Sequence, residues 1–123
     1  MSKNIFKGKK GFQRLEPYRY LYNKLKREAS KRQYSFSLTF NQFKRFTKIT
    51  KCHYCGETVT WLPHKKHGAR QGYNLDRKDN SKGYSMKNSA VCCYRCNLFK
   101  KDMNEKDFLF LCRQIYWSYR SCP

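Results

Sequence analysis

Apolar side chains recur at helical spacing between Pro17 and Arg32, where Tyr18, Leu21, Tyr22, Leu25 and Ala29 share one face and Arg19, Lys24, Lys26 and Arg27 fill other positions. That spacing predicts an amphipathic helix with proline in its first turn. Ser35 to Phe40 alternates weakly and reads as extended. Thr39 or Asn41 can then cap a short helix whose Phe40, Phe43 and Phe46 suit a core better than base stacking. Lys51 to Gly56 reads as a tight cysteine turn and Glu57 to Leu62 as an alternating strand. Pro63 to Gln71 is a polar, basic loop. Near the end, Asn104 can cap a helix reaching Tyr119, with Phe108, Leu111, Cys112, Ile115 and Tyr119 on its inner face.

Charge changes the picture. The 123 residues carry 28 Lys and Arg against 8 Asp and Glu, a formal +20, and such an excess repels itself unless a polyanion neutralises it. Residues 1 to 51 hold 15 of the basic residues and only Glu16 and Glu28. The stretch Met1 to Arg14, rich in Lys and Gly, is expected to be mobile until it meets phosphate. Nucleic acid is therefore the expected partner. Aromatics make up 17% of the chain, enough to fill a small core, so disorder throughout is excluded. No apolar run approaches the roughly 20 residues of a membrane span, and no secretion signal follows the basic start. The reading is a soluble, cytoplasmic protein with no membrane partner.

Seven cysteines include Cys52-His53-Tyr54-Cys55-Gly56 and Cys93-Tyr94-Arg95-Cys96. Each pair can point two thiolates at one tetrahedral zinc, and four protein sulfurs leave no open position, so Cys52, Cys55, Cys93 and Cys96 predict a structural Zn²⁺ site. The rival readings are a redox pair or two disulfides; they lack a thioredoxin-like context and an oxidising compartment respectively. Cys92 competes with Cys93 for register, and the two-residue gap favours Cys93. Cys112 is expected in the core and Cys122 as a free thiol in the tail.

Between the cysteine pairs runs Tyr73-Asn74-Leu75-Asp76-Arg77, then Gly83-Tyr84, Asn88, and finally Cys96-Asn97. From Cys52 to about Lys101 the chain resembles the HNH, or ββα-metal, nucleases, in which two strands and a helix beginning just after a CxxC build a magnesium-dependent site. The resemblance implies Asp76 and Asn97 as Mg²⁺ ligands, with Mn²⁺ as a substitute, and Asn88 as the central Asn, either orienting the loop or closing a turn. Hard Mg²⁺ accepts such oxygen ligands. Asp79 and Asn80 read as turn residues. Arg77 stands where the family has a histidine base, and arginine stays protonated. A subgroup of rare-cutting restriction enzymes shares this Asp-Arg with Gly-Tyr, which implies Tyr84 as base and Arg77 on the phosphate. The bland alternative packs Tyr84 over the loop. His64 and His67 are rivals for the base, and His53 is read as structural.

The expected architecture is α+β: a small zinc-stabilised ββα-metal core with an N-terminal basic helical arm and a C-terminal helix packed on it. Its divisions are a basic tail at 1–14, an arm at 15–51 and the nuclease core at 52–123. The expected function is hydrolysis of a phosphodiester bond in DNA, double-stranded, and the reading allows a homodimer. The alternative is a zinc-dependent DNA- or RNA-binding protein without catalysis, which has no need of Asp76 and Asn97 beside the zinc. A purely structural interaction protein leaves the charge unexplained.

Overall fold

The computed structural model describes residues 16–62 and 75–121. The expectations for the 1–14 tail, the 63–71 loop with His64 and His67, and Cys122 fall outside those residues. Helix α1 spans Arg19–Lys31 and α2 spans Phe40–Phe46; strands β1 (Leu75–Arg77) and β2 (Ser89–Val91) precede α3 (Tyr94–Lys100) and α4 (Glu105–Ser121). The first helix starts two residues after Pro17 because Tyr18 takes a left-handed backbone, φ 75°. Thr39 caps α2 in a reciprocal capping box with Gln42: the Gln42 amide donates to Thr39 Oγ1, and the Thr39 amide to Gln42 Oε1. Two orphan donors at the helix start are thereby satisfied.

One core joins these elements. Leu21 and Tyr22 of α1, Leu38, and Phe43 and Phe46 of α2 pack with Cys52, Val59, Leu75, Val91, Cys92 and Cys96. Tyr22 anchors the group by donating its hydroxyl to the Leu38 carbonyl at 2.7 Å, and its ring meets Phe36, Phe40 and Phe43 at 5.5 to 5.6 Å. Phe40 is only partly buried and carries the Arg19 guanidinium 3.9 Å above its ring.

The two antiparallel strands pair Leu75 with Val91, Asp76 with Ala90 and Arg77 with Ser89. All six residues are buried. Alternation along a strand sends Asp76 to one face and Leu75 and Arg77 to the other, and both faces are covered. The first cysteine turn and α3 cover Asp76, while Tyr34 and Tyr84 lie against Arg77.

A seam joins the segment after α1 to the loop before β2. Tyr84 N–H donates to the Ser35 carbonyl at 2.9 Å, and Ser37 N–H donates to the Tyr84 carbonyl at 2.9 Å. This parallel bridge brings the backbones so close that a Cβ at Gly83 would lie 2.0 Å from the Ser35 carbonyl oxygen. The glycine of the Gly83-Tyr84 pair is there to allow that approach.

Three expectations need correction. Among the described residues Glu57 to Leu62 makes one bridge, Lys51 with Thr58, because α2 and its trailing turn leave just a residue or two of partner before the cysteines. Val59 and Trp61 still turn inward, the Trp61 indole donating to the Ile49 carbonyl at 3.0 Å. Helix α3 begins between its cysteines rather than after them, with Cys93 as its cap. Helix α4 buries only Phe108, and Leu111, Cys112, Ile115 and Tyr119 are exposed, Tyr119 to 78%. The core ends at the first turn of that helix, so its later apolar positions have nothing to face among the described residues.

Replacing Gly83 by alanine is expected to cost about 2 to 3 kcal/mol, lowering Tm by roughly 10 °C or more in a domain of this size. Thermal melting followed by circular dichroism checks this. A Gly83→Ala protein melting with the wild type would remove the seam from the account.

Candidate active site

The cysteine turns come together as their spacing predicts. The Sγ atoms of Cys52, Cys55, Cys93 and Cys96 all lie within 4.8 Å of one another. Sulfurs bonded at about 2.3 Å to a tetrahedral zinc stand about 3.8 Å apart, and Cys55 and Cys93 are 3.7 Å apart. Amide N–H groups of Tyr54, Glu57 and Cys96 point at the sulfurs of Cys52, Cys55 and Cys93 at 3.4 to 3.5 Å. Gly56, at φ 77°, closes the first turn by donating to the Cys52 carbonyl at 3.0 Å. Burial pushes the Cys52 thiol up, but the backbone N–H groups of Cys55, Cys93 and Tyr54 outweigh it and bring the group down to about 6. The donor set fits Zn²⁺, with Cys93 rather than Cys92 as ligand. Cys92 is instead wholly buried in the core.

Asp76 lies at the centre of β1, 6% exposed. Tyr54, inside the first cysteine turn, donates its hydroxyl to Asp76 Oδ2 at 2.8 Å. Lys100, at the end of α3 and with no exposure at all, places its ammonium 3.2 Å from the same oxygen and donates to the Arg77 carbonyl at 2.9 Å. Burial pushes the Asp76 carboxyl above its ordinary value, with Tyr54, Lys100 and Arg77 pulling the other way. Asn97 lies one helical turn before Lys100 on the same face of α3. The side chains of Asp76 and Asn97 both offer oxygen donors of the type a hard divalent ion takes.

The other predicted residues build the loop between the strands. Asn88 is its brace: Oδ1 accepts from Asp79 N–H at 2.8 Å, while Nδ2 donates to the carbonyls of Gly83 at 2.8 Å and Asp79 at 3.1 Å. Arg77 closes the same loop from below, donating from one terminal nitrogen to the carbonyls of Asn80 at 2.7 Å and Lys82 at 2.9 Å. Its guanidinium lies 3.5 Å over the Tyr34 ring. Asp79 makes an Asx turn with Ser81, and Asn80 ties the loop to α4, its amide N–H donating to Asn104 Oδ1 at 2.9 Å. Tyr84 packs against Phe36 at 5.8 Å, and burial raises its phenol above the ordinary value despite Arg77. That direction is opposite to what a base working near neutral pH requires.

Three residues of this neighbourhood escape a reading by motif: Tyr54, Lys100 and Glu105, which meets His53 Nε2 at 2.5 Å. Lys100 had a usable signal, since a helix starting at the second CxxC sets it four residues after Cys96 and three after Asn97. Tyr54 and Glu105 had none, because their partners are 22 and 52 residues away in the chain.

No family model matches the chain. It is similar to an uncharacterized protein of Acanthamoeba polyphaga mimivirus, R423, at 31% identity over 94 residues, which is 76% of this chain and 16% of that protein. Among solved structures it superposes on the rare-cutting HNH restriction endonuclease PacI with a TM-score of 0.60 and 23% identity, covering 85% of this chain and 81% of that one. The chain has an HNH-like fold. Its ββα unit is β1, β2 and α3, and the four-cysteine cluster sits at the junction of β2 and α3. Among the described residues no helix is long and apolar enough to cross a membrane.

Metal analysis of the purified protein is expected to find one zinc per chain. A core this small depends on such a cross-link, so chelation should unfold the HNH-like unit and erase its circular dichroism signal. A zinc-free protein with native spectra would contradict this.

Proposed function

We propose that this chain is a metal-dependent DNA endonuclease hydrolysing phosphodiester bonds, with a four-cysteine zinc as its frame. The observation that carries the reading is the buried Asp76 carboxylate, anchored through one oxygen beside the four-thiol cluster of an HNH-like fold. A pure binding module gains nothing from ionising a carboxylate there, because it repels phosphate.

Asp76 and Asn97 would hold Mg²⁺, with Mn²⁺ as a substitute. A bound ion of this kind stabilises charge on the scissile phosphate and the departing 3′ oxygen. Asn88 and Arg77 keep the loop over the site rigid, which fixes the geometry in which a phosphate can approach. Among the described residues the remaining guanidinium nitrogens of Arg77 carry no hydrogen bond, and their N–H groups would be the ones to meet a phosphate oxygen. Exposed Lys26, Arg27, Lys31 and Arg32 of α1 and its end, with Arg45 and Lys48 about α2, supply the positive surface for double-stranded DNA. Tyr84 forms the wall of the loop rather than the base.

A second reading, a zinc-dependent DNA- or RNA-binding protein without catalysis, is favoured by one observation. Lys100 already supplies Asp76 with a positive partner, so the carboxylate can persist without a divalent ion.

Supercoiled plasmid separates the two. The zinc-loaded protein is expected to nick or linearise it with Mg²⁺ and to bind without cutting when Mg²⁺ is left out. Asp76→Asn, compared at a temperature where its circular dichroism is native, should lower the rate at least about a hundredfold while zinc content and DNA affinity stay put. Tight binding with no cleavage in any divalent ion would establish the binding module instead. For Tyr84→Phe a loss of less than about tenfold is expected, whereas removing a general base would cost about 10² to 10⁴. A loss of that larger size would return the phenol to the base role.

A further inference from the structure

The carboxylate of Asp76 is held asymmetrically. Tyr54 Oη and Lys100 Nζ both bind Oδ2, at 2.8 and 3.2 Å. Among the described residues Oδ1 receives neither a hydrogen bond nor an ion pair. Neither partner is free to follow a turning carboxylate. Lys100 is pinned a second time by the Arg77 carbonyl and has no solvent exposure to swing into. Tyr54 is wedged edge-on between the His53 ring at 4.8 Å and the buried Phe108 ring at 5.4 Å. With both donors on Oδ2, offering that oxygen to an ion as well would displace at least one of the two contacts.

Divalent ions differ in what they ask of a carboxylate. Ca²⁺ takes six to eight oxygens and readily accepts both oxygens of one carboxylate, whereas Mg²⁺ and Mn²⁺ sites are octahedral and accept single oxygens and waters. We infer that Lys100 and Tyr54 are positioning residues that clamp Asp76 Oδ2, confine coordination to Oδ1, and so select Mg²⁺ or Mn²⁺ against Ca²⁺. This rests on the assignment of Asp76 as a metal ligand in the nuclease reading.

The test reads ion binding rather than cleavage. Zinc-loaded full chain is titrated with Mn²⁺ by electron paramagnetic resonance, and Ca²⁺ affinity is read from displacement of the bound Mn²⁺. With Lys100→Met, the second oxygen comes free, and the ratio of affinities should move toward Ca²⁺ by about tenfold. Tyr54→Phe removes the other contact without changing charge, and should move the ratio the same way by about threefold. Loss of a merely structural contact would weaken both ions together and leave their ratio alone. An unchanged ratio in variants that keep their zinc and native circular dichroism would overturn the clamp. Should Lys100→Met lose its zinc, the Tyr54→Phe ratio decides alone. Asp76→Asn serves as the control: if it binds Mn²⁺ as tightly as the wild type, Asp76 is not the ligand, and the clamp fails with the metal assignment rather than through the ratio.

Discussion

An ammonium group with no access to water has to find its hydrogen bonds inside the protein, and Lys100 finds them on β1. Breaking a buried pair of this kind by removing one partner typically costs about 3 to 5 kcal/mol, so the pairing with Asp76 constrains everything attached to it. Its bond to the Arg77 carbonyl fixes the end of α3 against the strand as well as against the side chain. With both ends of that short helix held, one by Lys100 and the other by Cys93 and Cys96, the position of Asn97 between them follows.

The four-cysteine cluster and the N-terminal helices answer the same difficulty from opposite sides. A two-stranded sheet is marginal by itself in water. Here the cysteine turn covers one face, tied on by the His53 N–H donating to the Val91 carbonyl at 2.7 Å, and Tyr34, Phe36 and the Gly83–Ser35 contact cover the other. The basic helices thus do more than display charge. Their buried residues belong to the same core as Leu75, Val91 and Cys92.

Polar side chains in the loop between the strands are similarly consumed by architecture. Asn88 and Arg77 spend their hydrogen bonds on the carbonyls and amides of residues 79 to 83. A loop braced in this way presents the neighbouring strand at a fixed height, and rigid supports are what a metal or phosphate site needs to hold its geometry. The motif letters around Asp76 describe a scaffold as much as a set of reacting groups.

Local rules alone determined several features of this protein: the amphipathic α1, a cap for α2 at Thr39 or Asn41, and the use of Cys93 in place of Cys92. Each depends on residues a few positions apart, where helical periodicity, capping chemistry and the reach of a CxxC turn operate directly. The pairing of the two cysteine turns was equally readable, because two CxxC turns supply the four sulfurs of one tetrahedral site whatever lies between them. Only the tertiary structure decided which apolar faces are covered. Helix α4 carries a good inner stripe, yet Ile115 and Tyr119 stay exposed because the core ends at Phe108. It also decided the surroundings of Asp76, since Tyr54 and Lys100 reach it from 22 positions before and 24 after. Interactions at that separation leave no period in a sequence, and burial, which sets the energy of the Lys100 pair and the raised phenol of Tyr84, exists only once the chain has folded around them.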